Sequence, residues 1–247
     1  EEKSPDNPDK IMSALSGLQR DMLSTAKYAK TEDRTRNIDK TKGLIQRYFV
    51  KKDPPMLRHG AGLALDFENA IRRSKIESGR YECKQGFVTL SSDKRGLDTH
   101  LDQKILETIC AIANIGPDGD GFIFFGVADK KEDAARIEHL DQITPIQIGN
   151  RFIVGVDREL PILKKSLDDY VKRIVGFISA SELSSILKHQ VVAQVDTIAY
   201  RGLSVIRLRI PAQKTVSFLG EKAYIRDDSS TVEASGKKLL AIHALFS

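Results

Sequence analysis

Six consecutive positions, Phe122-Ile123-Phe124-Phe125-Gly126-Val127, are apolar except for one glycine. Such a run suits a central strand covered on both faces. Before it, Ile105, Ile109 and Ile112 fall on one face of a helix that the pattern starts at Asp98 or Thr99 and ends at Asn114. Earlier still, Tyr81 and Cys83 alternate with Glu82 and Lys84, the period of a half-buried strand. Strand, helix and strand in this order form a crossover unit. Downstream, β-branched runs at 191–199 and 203–210 flank the turn Tyr200-Arg201-Gly202 and predict a hairpin. Residues 223–226 read as a further strand and 237–246 as a closing helix. The stretch 130–189 carries weaker signals, for helices at 134–141 and 163–178 and a short strand at 151–156.

The N-terminal pattern is different. Residues 1–8 are polar, contain Pro5 and Pro8, and read as linker. From Asp9, Ile11, Leu15, Leu18 and Met22 make a narrow helical stripe that continues weakly to Ala29. Residues 31–37 are charged and turn-like, and 38–50 predict a second helix, ended by Asp53-Pro54-Pro55. A third helix is expected over 60–75, with Leu63, Phe67 and Ile71 inward. The expected class is therefore α/β (α+β): a mixed β-sheet domain with a crossover helix at 56–247, preceded by an N-terminal helical segment at 1–55 that serves packing or dimerisation.

Composition narrows the chemistry. The 247 residues are 40% hydrophobic and 30% charged, as in soluble globular proteins, and no run of about 18 apolar residues predicts a membrane span. The sequence starts at Glu1 without a methionine and reads as a piece of a longer chain, so any native leader is out of view. Cys83 and Cys110 both lie in apolar patterns, which fits reduced thiols and a cytoplasmic location. A net charge of +5 permits a nucleic-acid partner. The five histidines share no ligand spacing, which argues against zinc. The glycine-rich turn at 115–121 follows a helix and precedes a strand, the reverse of a Rossmann or P-loop order.

What remains is a carboxylate and an ammonium, Glu82 and Lys84, side by side on one strand face, with Glu77 close enough in sequence to add a second carboxylate. Arg72, Arg73 and Lys75 at the end of the third helix suit either a helix C-terminus or a phosphate. Arg207 and Arg209, two apart on the hairpin, share one face, as a solvated edge or a basic groove would have them.

Four segments in order carry a resemblance: Glu77-x4-Glu82-x-Lys84; Ile109-Cys110-Ala111-Ile112-Ala113-Asn114; Gly121 through Asp129; and Ala223-Tyr224-Ile225-Arg226-x2-Ser229-Ser230-Thr231. Together they resemble the Schlafen-type AlbA-2 domain over roughly residues 60–240. The resemblance implies an α/β nucleic-acid-handling domain. Its nuclease members use three carboxylates in metal-dependent RNA cleavage, which map to Glu77, Glu82 and Asp129. Oxygen ligands of this kind suit Mg²⁺ or Mn²⁺, and Lys84 would hold the scissile phosphate. Arg226 matches a position that implies a phosphate contact. The sequence departs from the family at Ala128, where an acidic residue often stands, so Asp118 or Asp120 are alternatives for the third ligand. It departs again at Asp227-Asp228, where glycine is frequent. The resemblance implies an endoribonuclease acting on tRNA or other structured RNA, in restriction or antiviral defence, working as a homodimer joined partly by the 9–52 helices. The alternative is a non-catalytic DNA- or RNA-binding module.

Overall fold

The apolar run around Phe124 does sit at the centre of a sheet. In the computed structural model, residues 3–5, 8–16, 18, 31–51, 61–74, 79–228 and 230–246 are described. The chain divides into two units, 1–59 and 60–247.

The first unit holds strand β1 (Lys3–Pro5), helix α1 (Pro8–Leu15), helix α2 (Thr31–Ile45), a 3-10 turn at Gln46–Tyr48 and strand β2 (Phe49–Lys51). β1 and β2 pair antiparallel, Pro5 opposite Phe49. Two expectations are corrected here. The charged stretch 31–37 is helical, because Glu32 and Asp33 fall in the first turn, where carboxylates favour the helix N-terminus. Residues 3–5 form a ribbon edge, a place that tolerates proline. The predicted continuation of the first helix through Met22 lies outside the described residues.

The second unit begins with α3 (Ala61–Arg73), followed by β3 (Tyr81–Lys84), α4 (Leu101–Ala113), β4 (Gly121–Phe125) and β5 (Val127–Ala128). Then come α5 (Lys131–Asp141), β6 (Ile146–Ile148), β7 (Arg151–Ile153), a 3-10 turn at Asp157–Glu159, α6 (Leu160–Leu163), α7 (Leu167–Ala180) and α8 (Ser185–Val192). The hairpin β8 (Val195–Tyr200) and β9 (Leu203–Ile210), the hairpin β10 (Ala223–Asp227) and β11 (Ser230–Ala234), and α9 (Lys237–Ala244) complete it. The main sheet has the order β3-β4-β9-β8, with β3 parallel to β4 and the other pairs antiparallel. The strands β5-β7-β6 form a second, smaller sheet.

Helices cover both faces of the main sheet, which explains the unbroken apolar run. On one face Ile105, Ile109 and Ile112 of α4 meet Ile123, Phe125, Ile206 and Leu208, with Tyr170, Ile174 and Ile178 of α7. On the other, Leu63, Phe67 and Ile71 of α3 meet Cys83, Phe124, Val127, Ile198 and Val205. Phe67 meets Phe124 and Tyr200 edge-on, with ring centroids 5.3 and 5.4 Å apart. Gly126 turns the chain from one sheet into the other. Its φ is +92°, and a Cβ there would lie 3.1 Å from the Gly155 backbone and the Ser204 carbonyl oxygen.

Two more boundaries differ from the pattern. Val191 and Val192 end a helix rather than begin a strand, since Leu187 and Val191 drop fully into the core and packing overrides β-branched propensity. The helix expected at 163–178 is broken at Lys164, which is left-handed with φ 52°, and restarts at a capping box made by Ser166 and Asp169.

Asn114, the last residue of the helical motif, clamps the C-terminal segment onto α4. Its amide nitrogen donates to the carbonyls of Ser217 (2.9 Å) and Tyr224 (3.0 Å), and its side-chain oxygen accepts from the Ser217 N–H (2.7 Å). Asn114→Ala strands these buried groups and is expected to cost about 3 kcal/mol in urea unfolding. Backbone amide exchange should rise first in the 213–234 segment.

Candidate functional site

The alternation of β3 sends Glu82 and Cys83 to opposite faces. Glu82 pairs in register with Ile123 and Lys84 with Phe125, both of which face α4. On that side, Glu82 Oε1 lies 2.6 Å from Lys84 Nζ, and Glu82 Oε2 accepts from Arg226 Nη2 at 2.9 Å. The second guanidinium nitrogen of Arg226 donates to Thr231 Oγ1 at 2.9 Å. Arg226 and Thr231 are cross-strand partners in the β10–β11 hairpin, which fixes this geometry. Thr231 Oγ1 is 3.2 Å from Thr108 Oγ1 on α4, whose hydroxyl donates to the Lys104 carbonyl at 2.8 Å.

The side chain of Arg226 is 4% exposed, that of Glu82 13% and that of Lys84 27%. Two cations therefore share one carboxylate, and the cluster carries one formal positive charge, with Lys84 as its most exposed side chain. The β3 and β10 residues of this cluster are 144 apart in sequence.

Asp129 lies elsewhere. Its Oδ1 is 2.8 Å from Arg151 Nη1, and it neighbours the Cys83 thiol on the α3 side of the sheet. Burial first, and then the Asp129 charge, push that thiol well above its ordinary range. Ala128 is buried with Ala134, Ile137 and Val154, an apolar setting. Asp118 is exposed in its turn, and Asp120 accepts from Arg209 Nε (2.6 Å) and the Ala212 N–H (3.0 Å). Glu77 lies outside the described residues. Of the three carboxylates expected to hold Mg²⁺ or Mn²⁺, Glu82 and Asp129 are among the described residues and Glu77 is not. Both oxygens of Glu82 hold cations, Asp129 faces away, and no group of three His, Cys, Asp or Glu side chains is placed to hold a metal among the described residues.

The basic residues also separate. Arg226 alone joins Glu82 and Lys84. Arg207 and Arg209 stand opposite Phe124 and Phe122 on the α3 side, and Arg207 is held by Asp196 at 2.6 Å. There the Arg207 guanidinium lies 5.7 Å from the Phe122 ring centroid, and Phe122 stacks between Tyr81 and Phe124. Arg72 forms an i,i+4 pair with Glu68 at 2.6 Å, and its side chain is 57% exposed. Arg73 is exposed at the end of α3. Lys75 lies outside the described residues.

Sequence reasoning missed the residues that set the loop after Lys84. Glu159 is fully buried and accepts from the N–H groups of Phe87 (2.8 Å) and Val88 (2.9 Å), from the Tyr170 hydroxyl (2.7 Å) and from Arg158 (3.0 Å). Arg158 also donates to the Gln85 carbonyl (2.8 Å) and to Asp141 (2.7 Å), which in turn holds Arg95. Gly86 makes room for this arrangement, since a Cβ there would coincide with the Glu159 carboxylate. The only signal was a charged triplet, Asp157-Arg158-Glu159, between apolar neighbours. The resulting loop walls a cavity of about 330 Å³ that Lys84, Asp98 and Leu101 help to line.

A family model described as Schlafen, AlbA_2 matches residues 77–235, more than half of the chain, and the chain belongs to that family. No curated protein and no solved structure matches it. Among the described residues, no helix is long and apolar enough to cross a membrane.

Proposed function

Given that membership, whose coarse meaning is a nucleic-acid-related role, we propose that the domain binds the phosphate backbone of a nucleic acid at Lys84 and Arg226 without cutting it. The observation that carries this reading is the doubly paired Glu82. Its carboxylate aligns two cations and leaves the cluster positive, which attracts a phosphate. The cavity beside Lys84 gives a phosphate a place to enter, and the hydroxyls of Thr108 and Thr231 sit behind Arg226. Contacts of this kind hold the backbone and carry no sequence information.

A second reading, a metal-dependent endoribonuclease acting on tRNA, is favoured by the Glu77-x4-Glu82-x-Lys84 string alone. It requires Glu82 to ligate a metal beside, or in place of, the cations it now pairs with.

The test is binding of tRNA, single-stranded RNA and duplex DNA across a salt series, with cleavage followed in Mg²⁺ and Mn²⁺. Binding should weaken as salt rises. Lys84→Ala should weaken it on every substrate and reduce the salt slope by about one. No binding at physiological salt overturns the proposal, and divalent-dependent cutting replaces it with the second reading.

A further inference from the structure

The α3 side of the main sheet carries its side chains in rows across the strands. In one row Cys83, Phe124 and Arg207 stand side by side, and all three are buried, the first two packed with α3. In the row before it Tyr81 lies opposite Phe122, and Phe122 opposite Arg209. These three are only half-buried. The cover over the sheet therefore stops between the two rows.

The rings at this margin form a stack. Tyr81 lies on Phe122 with centroids 5.8 Å and planes 23° apart, and Phe122 lies on Phe124 at 6.1 Å and 13°. Phe67 of α3 closes the Phe124 end edge-on. The Tyr81 end is open. β3 is the end strand of the sheet, so one face of the Tyr81 ring looks to Phe122 and the other away from the sheet. That outer face meets no second ring and no guanidinium among the described residues.

The charges around the stack are already balanced. Arg207 is held by Asp196 and Arg209 by Asp120, each at 2.6 Å. What the open end offers is a flat π-face, which suits another flat ring. Attraction for an anion comes from the same strand three residues on, about 10 Å along β3, where Lys84 and Arg226 share Glu82 and leave a positive cluster.

Resting on the phosphate reading of that cluster, we propose that Tyr81 stacks the base of an unpaired nucleotide whose neighbouring phosphate is held at Lys84. A single strand that crosses the sheet edge at β3 meets the ring on one side and the ammonium on the other. A duplex keeps its bases stacked on one another and presents its backbone alone to this edge. Stacking of this kind tolerates any sequence, because every base has a π-face. The domain therefore favours unpaired over duplex nucleic acid.

The experiment is fluorescence anisotropy of the full chain with oligoadenylate, its duplex with oligouridylate, and an abasic strand of the same length. Wild type, Tyr81→Leu, Tyr81→Phe and Lys84→Ala are compared across a salt series. Leucine keeps an apolar contact with Phe122 and removes the π-face. Tyr81→Leu should weaken oligoadenylate about tenfold and leave the duplex, the abasic strand and the salt slope unchanged. Tyr81→Phe should bind as wild type does. Lys84→Ala should weaken all three ligands, so a Lys84→Ala that binds normally removes the phosphate reading while the Tyr81 loss still stands for the stack. An abasic strand that binds wild type as tightly as oligoadenylate overturns the stack alone, and so does an equal loss on all three ligands in Tyr81→Leu. No binding of any ligand at low salt overturns both. The chain has no tryptophan, so Tyr81→Trp adds a single reporter, which keeps the test decisive if Tyr81→Leu folds poorly. Its emission should be quenched by oligoadenylate and not by the abasic strand, and emission unchanged at saturation overturns the proposal.

Discussion

Glu159→Ala is expected to destabilise the 60–247 unit by about 4 kcal/mol, the scale seen when one partner of a buried charged network is removed. The carboxylate is fully buried and is the common acceptor for two backbone N–H groups, one hydroxyl and one guanidinium. Alanine leaves all four donors without it, and Arg158, whose side chain is 1% exposed, keeps a charge it can share only with Asp141 and Gln85. Glu159→Gln should do little better, because its NH₂ group would face two of the donors that a carboxylate oxygen accepts from. Urea unfolding followed by circular dichroism measures the loss, and a fall of about 10 °C in the thermal midpoint should accompany it. Asp168→Ala, which removes a surface pair with Lys172, sets the baseline near zero. A Glu159→Ala loss below about 1 kcal/mol would mean that the loop after Lys84 is not held in the way described.

That loop shows where sequence legibility ended. The central strand, the helix ending at Asn114 and the hairpin around Gly202 were all readable, because each presents a clean period and a clear turn. Of the three-stranded sheet β5-β7-β6 only β7 was, within the short strand expected at 151–156; β5 and β6, strands of two or three residues, have no period to read. At the site, alternation alone placed Glu82 and Lys84 on one face. It could not place Arg226, whose approach depends on how the β10–β11 hairpin docks on α4, nor Asp129, whose direction depends on the turn at Gly126. Glu159 was opaque for a similar reason: a charged residue next to apolar ones reads as surface until its donors, 71 and 72 residues earlier, are brought to it.

Glu82→Gln is the variant on which the two functional readings give opposite results. In the binding reading Glu82 is an internal counter-ion. Its neutralisation raises the local charge by one unit and frees the Lys84 ammonium for phosphate. Affinity for nucleic acid at low salt should rise about fivefold, and the salt slope should steepen by up to about one. Stability should fall by about 2 kcal/mol, because Arg226 is nearly buried and loses its carboxylate, although Gln can still accept one hydrogen bond and Lys84 was partly screened by water. In the endoribonuclease reading Glu82 is a metal ligand, so the same variant should abolish divalent-dependent cleavage. Filter binding and a cleavage gel on one preparation read both outcomes. Cutting by wild type that disappears in Glu82→Gln would remove the binding-only proposal. Weaker binding by the folded variant would remove the counter-ion role, because a carboxylate that only restrains Lys84 and Arg226 should not help them hold a phosphate.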